Sequence, residues 1–310
     1  MKPILHWSQT NARLLNACPR AWVNTYAANL MTGSRGPGAP RSGTQRRPQI
    51  DDAVVSALRS TWTDRMEDLF VGTEWSSPFR EHRLKRRFTD AMDASGLKAP
   101  ETNLTLHLKR GVNQLEALER TVGLRPLMRG SGSRWAYFER LDGVHVDGVT
   151  LYTAPDLAFY HQHKWTLIRL QFRSSAHQTL AQQLEHLLMV KWAMAQPGFP
   201  NEANAYRVKV IRWHRHRWIE HHLDVSETLL EQADDLVRHD VQEMKWLLRC
   251  WNSDADLTAV PYARDVKTCE SCAYRKRCPA GQNLAQAKAK QERFVLNLHQ
   301  REETKSLRTS

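Results

Sequence analysis

The sequence predicts an α/β fold, a sheet with helices, carrying a helical insert and a terminal cap built on cysteines. Three observations predict it. Apolar residues recur at helical spacing over most of 50–128, and short β-like segments separated by glycine or polar turns fill 135–173. Three cysteines crowd near the C-terminus, with a fourth near the N-terminus. The 310 residues are 41% hydrophobic, enough to bury a core.

Each element has its own signal. Residues 1–30 form an N-terminal cysteine-helix segment: apolar residues at helical spacing over 8–28 are interrupted by Pro19, which predicts two short helices meeting near Cys18. Residues 31–48 are rich in Gly, Pro and Arg and read as a flexible basic loop. In the helical insert, 49–130, Val54, Leu58, Trp62 and Met66 recur every fourth residue. A core domain over 131–255 opens with four short β-segments, the last being WTLIRLQFR. A long amphipathic helix over 176–196 follows, stopped by Pro197 and Gly198. YRVKVIRW and WIEHHLD flank the basic turn HRHR as a hairpin, and Asp224 with Glu227 supplies a capping box for a helix over 226–251. A cysteine segment, 256–282, precedes a basic tail, 283–310, with no core face beyond Phe294–Leu298.

Lys and Arg outnumber Asp and Glu by 45 to 33, a net charge of +12. That balance favours a polyanionic partner, with nucleic acid first and a merely soluble basic surface as the alternative. No stretch approaches the roughly 18 apolar residues of a membrane span, and MKPILHWSQTNARLL lacks the apolar centre of a secretory signal. The expectation is a cytoplasmic protein without a membrane partner. Of the 11 tryptophans, most are expected in the core and a minority on stacking surfaces. The segment RWHRHRW sets Arg212, His214, Arg215 and Arg217 beside Trp213 and Trp218 in the predicted hairpin turn, a combination suited to phosphate contact and base stacking and equally to a solvated turn. The run FREHRLKRRF, 79–88, reads as a basic helical surface.

Five cysteines are too few and too uneven for a disulfide scaffold. Cys269, Cys272 and Cys278 have the spacing C-x2-C-x5-C, and Cys18 supplies a remote fourth thiol. Four thiolates suit tetrahedral zinc or a four-iron–four-sulfur cluster, and one remote ligand with one gap of five residues leans towards the cluster. Reduced structural cysteines are the plain alternative. Cys250 lies within a helical pattern and reads as a small buried hydrophobe.

Ser8, Thr10 and Leu14 followed by Cys18-Pro19-Arg20, together with the three-cysteine terminus, resemble the RecB-like branch of the PD-(D/E)XK nucleases that carries an iron–sulfur cluster. The resemblance implies a restriction-endonuclease-like core, a central mixed sheet flanked by helices. It also implies a cluster held by Cys18, Cys269, Cys272 and Cys278 that staples the chain ends, with zinc as the alternative. In that family a strand ending in Asp precedes a strand bearing (D/E)-x-K, then a helix with Q-x-x-x-Y. Here Asp156 fits the first position, and Gln171 and Arg173 fit the second and third. Glu139 is the match for an additional acid, with Asp142 and Asp147 as competitors and surface turns as the bland alternative.

The departures matter chemically. Mg²⁺ or Mn²⁺ needs carboxylates, and a lysine normally orients the attacking water. Gln171 offers only a neutral oxygen, and Arg173 is a planar fork that can hold phosphate but replaces a compact ammonium poorly. Gln183 is followed four residues on by Leu187, and Gln182 by His186, so Q-x-x-x-Y is incomplete. The family's glycine-and-histidine motif has no counterpart in 50–90.

The resulting expectation is a nucleic-acid-binding, most simply DNA-binding, protein with impaired catalysis, acting on single strands or ends in DNA processing, recombination or defence beside a helicase or other DNA-processing partner. One alternative is an active Mg²⁺- or Mn²⁺-dependent DNase using Asp156, Glu139, Gln171 and Arg173, with Gln183 beside them. A second is a zinc-bound protein–protein adaptor.

Overall fold

The computed structural model describes residues 5–27, 49–98, 100–130, 134–174, 178–253 and 257–306. The expected loop at 31–48 lies outside them. The architecture is α/β, with mixed sheet flanked by helices, and it divides into two compact units. One contains Met1–Arg47, Asp147–Thr150 and Val237–Ser310, and the other contains Pro48–Val146 and Leu151–Leu236.

The chain begins with strand β1 (His6–Trp7) and helices α1 (Gln9–Ala17) and α2 (Pro19–Trp22), the latter continuing as a π turn over Val23–Ala27. Ser8 caps α1 by accepting from the Asn11 N–H at 3.2 Å. Cys18 is the extended residue between the two helices, where Pro19 can occupy the first turn without losing a hydrogen bond. The two-helix expectation matches this break.

In the larger unit, helices α3 (Ile50–Phe70), α4 (Ser77–Ala94), α5 (Glu101–Glu119) and α6 (Arg125–Met128) precede the sheet. Gln49 and Asp52 box the start of α3, and Ser76 caps α4. Strand β2 (Arg134–Tyr137) is followed by β3 (Val144–Val146) and β4 (Val149–Leu151); Asp147 and Gly148, at positive φ in the turn between them, belong with Val149 and Thr150 to the smaller unit. Then come β5 (Leu157–His161), β6 (Lys164–Gln171), helix α7 (Leu180–Met194), β7 (Tyr206–His214) and β8 (Arg217–Leu223). The region expected to hold four β-segments thus holds five strands, with the Asp147–Gly148 turn separating β3 from β4.

The five-stranded sheet has the order β2-β5-β6-β7-β8, antiparallel throughout except for the parallel pair β6–β7. Parallel neighbours need a crossover, and α7 supplies it. Leu184 through Val190 are all buried on α7, so this helix lies inside the unit and not on its surface. It starts at Leu180, four residues later than its periodicity suggested, because Thr179 and Gln182 form the capping box that sets its first turn.

The helices of 50–128 are not a separate insert in packing terms. Leu58, Trp62, Leu84, Phe88, Leu115 and Leu118 share one core cluster with Leu157, Phe159, Ile168, Leu170 and Ile211 of the sheet. Each such side chain contributes roughly 1.5–3 kcal/mol on leaving water. Arg80 donates to Glu116 and Glu119 at 3.0 Å each, and Arg65 donates to Glu119 at 3.1 Å, so the charges beneath α3, α4 and α5 are mutually satisfied.

Helix α8 (Glu227–Ser253) is capped by Ser226, whose Oγ accepts from the Leu229 N–H at 3.3 Å, and not by Asp224 as the spacing suggested. Ser226 is the residue immediately before the first helical position, where a short side chain reaches the third N–H. The smaller unit is completed by α9 (Val266–Glu270) and α10 (Leu284–Ser306). The basic tail is therefore largely helical, anchored by buried Leu284 and Ala287, with Phe294 exposed. Within this unit the Trp7 indole donates to Asp240 at 2.8 Å, the Trp22 indole donates to the buried Asn11 amide oxygen, and Arg20 donates from Nε to the Val260 carbonyl at 2.8 Å while stacking on Tyr262.

Candidate functional site

The smaller unit brings the four expected cysteines together. Cys18, Cys269, Cys272 and Cys278 border one cavity of about 30 Å³, with Ala21, Tyr262 and Ala263 among its apolar walls. Cys18 reaches it from the break between α1 and α2; the other three come from α9 and the turns after it. Those turns are tight: Cys272 N–H donates to Cys269 O at 3.2 Å, Cys278 N–H to Tyr274 O at 3.0 Å and Gly281 N–H to Cys278 O at 2.8 Å. Gly281 is needed there, since a Cβ would stand 1.8 Å from the Arg275 carbonyl oxygen. Cys250 is half-buried on α8 and does not border the cavity, and none of the five cysteines is in a disulfide.

Burial pushes the Cys18 thiol up to about 11, and the neighbouring thiols add to the rise. Burial likewise raises Cys269 and Cys272. Four thiols facing one cavity are a soft donor set, which could hold a metal group that displaces thiol protons. Among the described residues no three His, Cys, Asp or Glu side chains are set to hold a single metal ion as they stand.

The larger unit holds the acid. Asp156 lies just before β5, with its backbone N–H on Ile168 O at 2.8 Å. Its carboxylate, 11% exposed, is gripped by one guanidinium: Arg140 Nε donates to Oδ1 at 2.7 Å and Nη2 to Oδ2 at 3.0 Å. Oδ2 also accepts from the Leu170 N–H at 2.7 Å, with Arg169 Nη1 at 3.5 Å. Burial pushes this carboxyl upward, but the charges of Arg140 and Arg169, with the hydrogen bonds from Arg140 and Leu170, outweigh it and hold Asp156 down at about 2.

Arg140 lies within a turn that fixes its backbone. Glu139 N–H donates to Asp142 Oδ2 at 3.1 Å, and Asp142 N–H returns to Glu139 O at 2.9 Å. Glu139 is exposed, and its carboxylate makes no bond to Asp156 among the described residues. Asp142 accepts the Trp192 indole at its carbonyl, 2.8 Å, and Asp147 sits in the β3–β4 turn.

The other expected residues point to different partners. Gln171 Nε2 lies 3.1 Å from His186 Nε2, and Gln178 Nε2 lies 3.3 Å from the same nitrogen. His186 is fully buried on α7 and ties the end of β6 to the crossover helix. Arg173 donates to Asp52 of α3 at 2.7 Å, an ion pair with side chains 49% and 29% exposed. Gln183 is half-buried on α7 and makes no side-chain bond among the described residues. Thus Asp156, Gln171 and Arg173 come from neighbouring backbone, yet their side chains do not converge on one point.

Sequence reasoning missed Arg140, Arg169, Arg59 and His186. Only His186 had a visible signal, as the residue four after Gln182. Arg169 is buried, donating from Nη2 to Thr153 O at 3.2 Å and Ala154 O at 2.7 Å.

The hairpin expected to meet nucleic acid is partly turned inward. Arg212 is 3% exposed and bonded to His221, because strand alternation directs it into the unit, so it cannot face a phosphate there. Trp213 and Trp218 pack edge-on against each other, and Trp218 donates its indole N–H to Gln114 O at 2.8 Å. His214 Nδ1 lies 3.2 Å from Ser174 O. Arg215, His216 and Arg217 remain exposed, with Arg215 and His216 at positive φ in the turn. On α4, Arg80, Arg83 and Arg87 are engaged with acids, whereas Lys85 and Arg86 are exposed.

No protein-family profile matches the chain. No curated protein matches it either. Among solved structures, the crystal structure of SSO0001 is similar at 12% identity, with 85% of this chain and 97% of that chain covered and a TM-score of 0.28.

Proposed function

We propose that the chain is a DNA-binding relative of the RecB-like nucleases that has exchanged catalysis for binding, with its terminal thiols holding a four-iron–four-sulfur cluster. The observation that carries this reading is the grip of Arg140 on Asp156. A divalent cation requires carboxylate oxygens as ligands, ordinarily from more than one residue. Here both Asp156 oxygens already accept from Arg140, and the guanidinium repels a second cation at the same corner. Gln171 and Arg173, which would have completed the centre, are engaged with His186 and Asp52.

The cysteine cavity supports the other half of the reading. Cys18, Cys269, Cys272 and Cys278 would be the ligands, and a bound cluster would supply a covalent tie between chain segments remote in sequence. The net charge of +12 supports attraction to a polyanion without a base-reading motif.

The test is a pair of assays on anaerobically purified protein: binding to single- and double-stranded DNA over a salt series, and cleavage with Mg²⁺ or Mn²⁺. Salt-sensitive binding without cleavage is expected. Asp156-dependent cleavage would establish a working nuclease instead, and absence of binding together with stoichiometric zinc would favour a protein–protein adaptor.

A further inference from the structure

We propose that the Arg140–Asp156 corner is an anion site, in which Arg140 and Arg59 take a phosphodiester group of DNA where an active nuclease would hold a divalent cation. The inference rests on the DNA-binding reading above and names the ligand of that same site.

The geometry begins with what Arg140 leaves over. Its Nε and Nη2 are committed to Asp156 and to the Leu170 carbonyl, the last at 2.6 Å. Its Nη1 makes no bond among the described residues, and the side chain is 32% exposed. Arg59, on α3, is exposed and its guanidinium makes no hydrogen bond among the described residues. It is nonetheless an electrostatic neighbour of both Arg140 and Asp156. Arg169, 4% exposed, completes the group, with its Nε lacking a partner among the described residues. Arg140 and Arg169 contact the one carboxylate and Arg59 adds its charge from nearby, so positive charge exceeds negative by two among these four side chains.

That excess selects the ligand. A cation meets like charge and no vacant carboxylate oxygen. A phosphate meets planar forks whose N–H spacing matches its oxygens and whose charge persists at any physiological pH. Partial burial and the neighbouring Arg140 push Arg59 down to about 10, and burial together with Arg140 and Arg59 does the same for Arg169 against the pull of Asp156. A bound anion would relieve that strain among like charges. A polymer of phosphates is the source that the +12 chain would also attract at long range.

The experiment uses the full chain without added divalent metal. Binding of a labelled single-stranded oligonucleotide is followed by fluorescence anisotropy over a salt series for wild type, Arg59→Gln and Arg59→Lys. The Arg59 guanidinium makes no hydrogen bond among the described residues, so its replacement should preserve the fold, which a thermal melt verifies. Arg59→Gln should weaken binding roughly tenfold and lower the slope of log K against log salt by about 1, while Arg59→Lys should restore the slope. In parallel, Mn²⁺ alone is titrated and followed by electron paramagnetic resonance, and inorganic phosphate alone is titrated by calorimetry.

Four results overturn the inference. No DNA binding by wild type at low salt removes both it and the DNA-binding reading. DNA binding that ignores Arg59→Gln removes the inference alone. Mn²⁺ binding that disappears in Asp156→Asn makes the corner a cation site. Arg59-dependent binding of inorganic phosphate beside Arg59-independent binding of DNA makes free phosphate the ligand.

Discussion

Arg140 and Asp156 form a two-pronged ion pair, Nε to Oδ1 at 2.7 Å and Nη2 to Oδ2 at 3.0 Å, on the carboxylate that the proposed resemblance would assign to metal binding. The pair is held from both sides, by the Glu139–Asp142 turn and by the Leu170 N–H on Asp156. Its consequences for stability and chemistry can be measured separately.

Arg140→Ala removes the partner of a carboxylate that is only 11% exposed. Breaking a fully buried pair costs about 3–5 kcal/mol; with Arg140 partly exposed and Arg169 and the Leu170 N–H still in place, a loss of about 2–3 kcal/mol is expected. The urea midpoint should fall with an unchanged slope. A midpoint equal to that of wild type would show that the pair is energetically idle.

Acid should report the same carboxylate. Asp156 is held at about 2 in the folded protein against an ordinary value of 3.8. The unfolded chain therefore takes up this proton first as pH falls. The stabilisation is complete above about pH 4–5 and is lost progressively down to about pH 2. In Asp156→Asn that part of the pH dependence should vanish. Parallel pH profiles for the two proteins between pH 2 and 5 would contradict the assignment.

For the chemistry, Gln171→Glu with Arg173→Lys should leave Mg²⁺-dependent cleavage at background, because Asp156 stays on Arg140. Adding Arg140→Ala frees both carboxylate oxygens, and the triple variant is expected to bind Mn²⁺ where wild type does not. Cleavage by the double variant alone would mean that Arg140 yields to the metal.

The cysteine cavity should contain iron and sulfide in anaerobic protein, with the broad absorbance of thiolate-bound clusters near about 400 nm. Cys18→Ser or Cys269→Ser should lower metal content and melting temperature together, whereas Cys250→Ser, away from the cavity, should leave the metal content as it is. Stoichiometric zinc without iron would keep the tie and change its metal.

Gly281→Ala tests the backbone that shapes that cavity. The added Cβ would stand 1.8 Å from the Arg275 carbonyl oxygen, so the turn carrying Cys278 must open. Metal content should fall as it does for a ligand substitution, although no ligand has been touched. Unaltered loading would show that the turn accommodates a side chain.

Much of this architecture is legible in one dimension. Val54, Leu58, Trp62 and Met66 announce α3, the alternation of YRVKVIRW and WIEHHLD announces β7 and β8, and the C-x2-C-x5-C spacing announces a shared thiol site. These signals are local, because helix and strand periods and short ligand spacings are set by neighbouring residues. Caps were less legible, as Ser226 and Thr179 show, since several polar residues before a helix can serve and only backbone geometry chooses among them. The helices of 50–128 read as an insert because their pattern cannot reveal that their apolar faces close on the sheet.

The site divides along the same line. That Asp156, Gln171 and Arg173 follow one another in the order the resemblance calls for, with Gln and Arg where it calls for an acid and a lysine, is a reading of the sequence alone. What each side chain holds was decided only in three dimensions: Arg140 on Asp156, His186 beside Gln171, Asp52 on Arg173. A long guanidinium on a turn carries no periodicity and can reach several partners, so its choice depends on where α3, β5 and β6 place their backbones and charges.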